Sequence, residues 1–161
     1  MTSRTTVIAA QTEAHWEAAR CLFREYAESI GVDLCFQDFD NELKSLPVYY
    51  AVPRGALLIA IYDGHWVGCC ALRPLDSVDY ANACEMKRLY VRSAFRGLGI
   101  GRLLAEAILE HARFADYASI LLDTLDDMES ARALYEELGF EEIPPYYFNP
   151  IAGSHYLKAS L

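Results

Sequence analysis

Between Phe95 and Leu104 the chain reads FRGLGIGRLL: three glycines alternate with apolar residues, arginines flank them, and a helical pattern begins at once. Glycine at a helix start costs about 1 kcal/mol relative to alanine, so Gly97, Gly99 and Gly101 need a compensating use. The first amides of a helix have no partner within it, and the helix dipole adds about half a positive charge there. Glycine lets such a backbone take positive φ and approach phosphate oxygens closely. Arg92, Arg96 and Arg102 are close enough in sequence to add charge-assisted contacts. The stretch reads as an anion-binding turn. A Walker A loop needs a lysine after its glycines, and none follows here. A dinucleotide fingerprint, GxGxxG, fails at its third glycine: counting from Gly97 or Gly99 gives Arg102 or Leu104. Only Asp123, ending the next strand, speaks for a nicotinamide ligand. A tight turn without a ligand is the plainer alternative; it leaves three glycines beside three arginines without a purpose.

The 161 residues fit one domain, expected to span 1–161, and a hydrophobic content of 53% suffices for a full core. No apolar run approaches the roughly 18 residues of a membrane span, and the N-terminal MTSRTTVIAAQTEAHW lacks the look of a signal peptide. Five cysteines, an odd number without a CxxC pair, read as small core residues in a reducing cytoplasm. The net charge of −9 argues against nucleic acid and mildly favours cationic partners. That charge is uneven: Glu85 to Arg102 holds five bases and one acid, whereas Glu106 to Glu142 holds eleven acids and two bases. A basic cluster inside an acidic chain points to one small anionic ligand. No grouping of His, Cys and Asp has metal-ligand spacing, so no metal is expected.

The elements that must position these residues follow from periodicity. Thr5 to Ala9 is a short β-branched strand; Thr12 caps a helix over Ala14 to Ile30 with Trp16, Ala19, Leu22, Phe23, Tyr26 and Ile30 on one stripe, closed by Gly31. Phe36 to Leu46 forms a second helix ended by Pro47. Leu57 to Tyr62 and Trp66 to Leu72 are strands joined by Asp63-Gly64, a hairpin signal. Ala83 to Val91 is a strand in which Met86, Arg88 and Tyr90 alternate with Lys87, Leu89 and Val91. A helix from about Gly101 to Phe114, a strand over Ile120 to Thr124, a helix over Ser130 to Leu138, and strands at Phe140 to Ile143 and His155 to Leu161 complete the chain. The fold class is α/β, mixed α+β: a mostly antiparallel twisted sheet of six to seven strands, one parallel pair, and helices on both faces.

Arg96-Gly97-Leu98-Gly99-Ile100-Gly101 resembles the Q/R-x-x-G-x-G/A signature of the GCN5-related N-acetyltransferases (GNAT), Leu89-Tyr90-Val91 resembles that family's L-x-V strand end, and Leu134-Tyr135-Glu136-Glu137-Leu138-Gly139-Phe140 is similar to its LYxxLGF helix end. The resemblance covers nearly the whole chain. It implies acetyl-CoA as co-substrate, its pyrophosphate held by amides of Arg96, Gly97, Leu98, Gly99, Ile100, Gly101 and Arg102, and pantetheine and thioester held along Leu89, Tyr90 and Val91 where the strand splays. Many members carry an asparagine seven residues before the tyrosine; Met128 stands there.

Acetyl transfer to an amine needs a base for the amine, donors for the oxyanion and an acid for the thiolate. By the resemblance, Glu85, eleven residues before Arg96, is the base and Tyr135 the acid. A carboxylate on a mostly apolar strand is unusual, and burial tunes such groups toward proton transfer; facing solvent or pairing with Lys87 across an edge is the plain alternative. Cys84 points to the opposite face from Glu85, against a cysteine acyl intermediate. For the acceptor, the variable segments offer Phe36, Gln37, Phe39, Tyr146, Tyr147 and Asn149. The expected activity is N-acetyl transfer from acetyl-CoA to a primary amine of a small molecule or peptide, directly within a ternary complex. The alternative is an acyl-CoA sensor without catalysis. Dimers are common in the family, which leaves a homodimer open.

Overall fold

The computed structural model describes residues 4–31, 34–125 and 129–161, apart from the side chains of Cys35, Phe36 and Glu129. Seven strands form one sheet: β1 (Thr5–Ala9), β2 (Ala56–Tyr62), β3 (His65–Leu75), β4 (Ala83–Val91), β5 (Ser119–Leu125), β6 (Glu141–Ile143) and β7 (Ser154–Ser160), in the order β1-β2-β3-β4-β5-β7-β6. Every neighbouring pair is antiparallel except β4 with β5. That parallel pair requires a crossover, and α4 (Ile100–Phe114) supplies it. The expected mixed, mostly antiparallel sheet is the observed one.

Local signals set the ends of the elements. In α1 (Glu13–Ile30) the Thr12 hydroxyl accepts from the His15 amide at 3.2 Å while His15 Nδ1 accepts from the Thr12 amide at 3.2 Å, a reciprocal cap. Gly31 closes the helix at φ 66. Asp63 and Gly64, both at positive φ, make the two-residue turn between Tyr62 and His65. Pro47 does not end a helix as expected. α2 (Phe39–Lys44) stops earlier, and Pro47 lies in the first turn of α3 (Leu46–Tyr49), where its missing amide proton removes no hydrogen bond.

The sheet is covered on both faces. One core lies under α4 and α5 (Glu129–Glu137) and contains Leu58, Leu72, Met86, Leu104, Ile108, Leu122 and Tyr135. The other lies under α1, α2 and α3 and contains Leu22, Phe23, Leu46, Tyr50, Ile59 and Cys69. The stripe of Leu104, Ile108 and Ala112 in α4 is fully buried, where truncating a leucine typically costs about 3–5 kcal/mol. α4 is thus fixed against the sheet, and the turn before it is held at the end of β4.

Two irregularities of β4 shape the centre of the molecule. First, its pairing with β5 covers only Ala83, Cys84 and Glu85, opposite Ser119, Ile120 and Leu121. Beyond Glu85 the two strands part, and the β5-facing edge of Met86 to Val91 has no ladder partner among the described residues. Second, the register against β3 shifts between Cys69 and Ala71, whose partners are Tyr90 and Lys87. β4 therefore carries one extra residue there, a bulge, with Arg88 at φ 60. The simple alternation expected for residues 86–91 fails at this point. Cys84, Met86, Leu89 and Val91 pack toward α4, whereas Tyr90 joins the α1 side and Arg88 reaches α2.

Candidate active site

The cleft left by the parting of β4 and β5 is lined by Met86, Lys87, Arg88 and Leu89 on one side and by Leu122, Asp123, Thr124 and Leu125 on the other. Tyr26 and Gln37 border it from the α1 side, and Tyr135 and Asn149 close it elsewhere. Tyr135 packs edge-on against Phe140 with centroids 5.6 Å apart. It is therefore the core residue its helical stripe suggests as well as a cleft residue. Among the described residues its hydroxyl has no hydrogen-bond partner, and none of their fully buried side-chain polar atoms lacks one, so this oxygen keeps some exposure in a residue that lines the cleft. Burial holds this phenol well above its ordinary value, so it stays protonated.

Glu85 lies in the next cavity, not in the cleft. That cavity, about 190 Å³, is bordered by Gln37, Arg73, Glu85, Lys87, Tyr146 and Tyr147 among others. The Glu85 side chain is 5% exposed, so it does not face solvent. Its Oε2 accepts from the Tyr146 hydroxyl at 2.7 Å, and its Oε1 stands 3.8 Å from Lys87 Nζ. The Lys87 contact is in the centre of the sheet rather than at an edge. Desolvation lowers the Lys87 amine below its ordinary value, with the Glu85 charge working in the other direction.

A hydrogen-bond chain joins the two spaces. Lys87 Nζ donates to Gln37 Oε1 at 3.1 Å, Gln37 Nε2 donates to the Tyr147 hydroxyl at 3.0 Å, and Tyr147 donates to Asp123. Asn149 Nδ2 donates to Asp123 Oδ2 at 2.9 Å and to the Tyr147 hydroxyl at 3.2 Å. Burial raises the Tyr146 and Tyr147 phenols, and the neighbouring carboxylates raise them further. Of the acceptor residues expected from sequence, Gln37, Tyr146, Tyr147 and Asn149 are brought together here. Phe39 instead stacks on Arg88, with the guanidinium carbon 5.2 Å from its ring centroid. The side chain of Phe36 and all of Met128 lie outside the described residues.

The glycine turn sits where β4 enters α4. Gly97 (φ 82) and Gly99 (φ 79) are both left-handed, and a Cβ on either would meet nothing within 4 Å. The backbone therefore lies open to a ligand. Ile100 is a core residue and offers only its main chain, whereas Leu98 is half exposed. The arginines divide. Arg92 is bidentate to Glu25 at 2.8 and 2.6 Å and donates to Trp66 O, so it is committed to α1 rather than to the turn. Arg102 pairs with Glu137 of α5 and lies 3.6 Å from Glu106. Arg96 is exposed and, among the described residues, its guanidinium donates only to the Val91 carbonyl, at 2.9 Å. Along β4, Leu89 lines the cleft, while Tyr90 and Val91 pair with Cys69 and Gly68 of β3. Cys84 faces away from Glu85, donating to Ser119 O at 3.5 Å, and burial pushes its thiol up to about 12.

Sequence reasoning missed Arg73, Arg88 and Glu42. Arg88 is bidentate to Glu42 at 3.1 and 2.7 Å, and Tyr50 donates to the same carboxylate at 2.7 Å. A signal existed in each, since a charged residue inside an apolar strand or helix stripe needs a partner, but nothing in the sequence named the partner.

Comparison with known proteins follows the same lines. The family profile described as acetyltransferase (GNAT) family matches residues 13–140. An uncharacterised N-acetyltransferase of Schizosaccharomyces pombe is 39% identical over 143 residues, 88% of this chain and 86% of that protein. The fold superposes on an acetyltransferase from Streptococcus agalactiae with a TM-score of 0.79 at 22% identity, covering 99% and 100% of the two chains. It superposes on YncA of Salmonella typhimurium, solved with its cofactor acetyl-CoA, with a TM-score of 0.77 at 18% identity, covering 98% and 94%. With an open glycine turn, a parted parallel pair and a profile match over most of its length, the chain belongs to the acetyltransferase (GNAT) family and is an acyltransferase.

Proposed function

We propose that this acyltransferase moves an acetyl group from acetyl-CoA directly to the primary amine of a small molecule or peptide, with both substrates bound at once. The observation that carries the reading is the parting of β4 and β5 after Glu85. It opens a cleft that Tyr135 lines and that shares Gln37 and Lys87 with the cavity holding Glu85, while β4 runs on toward the glycine turn. The turn fits a diphosphate: its main chain is unobstructed at Gly97 and Gly99, the first-turn amides of α4 carry the positive end of the dipole, and Arg96 is exposed beside them. Bound there, acetyl-CoA supplies the activated thioester.

The remaining roles belong to the chain. Amides of residues 96–102 hold the diphosphate. The free β4 edge around Leu89 to Val91 offers donors to the acyl oxygen. Glu85 takes the proton released as the amine forms its C–N bond, and Tyr135 supplies a proton to the sulfur as the C–S bond breaks. The products are an amide and a free thiol. Cys84, buried on the far face with a raised thiol, is unsuited to an acyl intermediate. The buried free thiols at Cys69, Cys70 and Cys84 accord with a reducing, cytoplasmic setting.

Thiol release from acetyl-CoA across amine classes tests this. Glu85→Gln and Tyr135→Phe should each lower kcat about 10- to 1000-fold while acetyl-CoA affinity by calorimetry is nearly unchanged. Full activity in both variants removes the two roles. Acetyl-CoA binding with no thiol release from any amine would favour a non-catalytic sensor.

A further inference from the structure

Arg73 of β3 stands directly opposite Glu85 of β4 in an antiparallel register. Residues so paired share a face with Cβ atoms about 5 Å apart, and an Arg–Glu couple placed this way ordinarily closes a salt bridge. This one does not. Glu85 is engaged by Tyr146 and lies near Lys87. The Arg73 guanidinium turns aside, 5.1 Å from the Tyr49 ring centroid, and its one hydrogen bond among the described residues is a long 3.4 Å contact to the Tyr49 hydroxyl. No carboxylate pairs with it there. A guanidinium offers five donors in a planar fork, so most of its capacity is unused, and it borders the same cavity of about 190 Å³ as Glu85.

The cavity thus carries two cationic groups, Arg73 and Lys87, against one carboxylate. An acceptor bearing only positive charge would meet like charge at Arg73 as it approached Glu85, an arrangement that rejects a ligand more strongly than missing contacts do. An acceptor whose amine lies near a carboxylate matches both poles: the amine turns to Glu85 and the carboxylate meets the guanidinium fork in a bidentate pair. We infer that this cavity selects a small amine that also carries a carboxylate, an amino-acid-like acceptor, with Arg73 as its carboxylate clamp. The inference rests on the acetyltransferase reading above. It also runs against the net charge of −9, which taken alone favours cationic partners. Charge within the cavity governs selection because it acts at contact distance in a partly desolvated space, whereas the exposed acids are screened within about 10 Å.

The test uses matched pairs in the thiol-release assay: amino acids and the amines left when their carboxylate is removed, such as alanine with ethylamine, phenylalanine with phenethylamine, and lysine with cadaverine. The carboxylated member should be favoured in kcat/KM by about tenfold or more. Arg73→Met should raise its KM by a similar factor, with the loss falling on KM rather than kcat, and collapse the ratio within each pair toward one. Arg73→Lys should restore part of it. Acetyl-CoA affinity by calorimetry should stay as in the parent enzyme. Equal or better turnover of the decarboxylated members, or a ratio that survives Arg73→Met, overturns the inference and leaves the acetyltransferase reading intact. Acetyl-CoA binding with no thiol release from either member of any pair overturns the inference, and the same silence from peptide amines overturns the acetyltransferase reading as well.

Discussion

The ion pair between Glu42 and Arg88 offers the sharpest test of how the site is held. Glu42 is 0% and Arg88 3% exposed at the side chain. Two charge-assisted hydrogen bonds join them, and the Tyr50 hydroxyl donates to the same carboxylate. Arg88 is also the residue that takes φ 60 in the β4 bulge, immediately before Leu89. Such a conformation is unfavourable for a side chain larger than glycine by about 1–2 kcal/mol, and the contact with α2 opposes its relaxation. Glu42→Gln keeps the shape but leaves the guanidinium charge buried without a counter-charge. Breaking one side of a buried pair costs about 3–5 kcal/mol. At roughly 3 °C per kcal/mol for a domain of this size, Tm should fall by about 9–15 °C. Tyr50→Phe removes one hydrogen bond to a charged group and should cost about 1.5–3 kcal/mol. The double variant Glu42→Leu with Arg88→Met removes both charges, leaves the Tyr50 hydroxyl without its acceptor, and should recover part of the loss. Calorimetry and urea unfolding measure all three. A change under about 1 kcal/mol for Glu42→Gln, or a double variant no better than the single, would show that the pair does not hold the bulge.

Further outcomes follow from the turn, the phenols and the thiols. Gly99→Ala places a methyl in open space, so the fold should lose only the left-handed strain, about 1–2 kcal/mol, while acetyl-CoA affinity by calorimetry falls about tenfold; an unchanged affinity would put the diphosphate elsewhere. Burial pushes the Tyr26 phenol up to about 12 and holds Tyr50 and Tyr135 well above their ordinary 10.0. Groups raised on folding contribute stability that is complete below pH 10 and lost above it, at about 1.4 kcal/mol per pH unit each. The lowered Lys87 amine works in the opposite sense only up to 10.5. Urea midpoints should therefore drop steeply above pH 10, with phenolate absorbance from these tyrosines appearing only on unfolding. Native-state labelling with a thiol reagent should modify exposed Cys21 quickly and leave Cys69, Cys70 and Cys84 until denaturant is added; fast labelling of the buried three would contradict the packing.

Much of this protein is written in short stretches of chain. The cap at Thr12, the turn at Asp63-Gly64, the stripe of Leu104, Ile108 and Ala112, and the glycines before α4 each depend on residues within a few positions of one another. Their hydrogen bonds and periodicity are local, so the element order and the place of the glycine turn are legible without coordinates. The centre of the site is not. Where β4 leaves β5, that Arg88 rather than Leu89 turns toward α2, that Arg92 and Arg102 are taken up by Glu25 and Glu137, and that Asn149 reaches the cleft beside Tyr135 all depend on distant partners. Gln37 meets Tyr147 across 110 positions and Arg88 meets Glu42 across 46. A buried charge or amide must find a partner somewhere, but which one is decided only when the sheet register and the packing of α1 and α2 bring candidates within hydrogen-bond reach. The same holds for Arg73: its place opposite Glu85 is a matter of strand register, and its failure to pair there is visible only once Tyr49, Tyr146 and Lys87 have taken their positions.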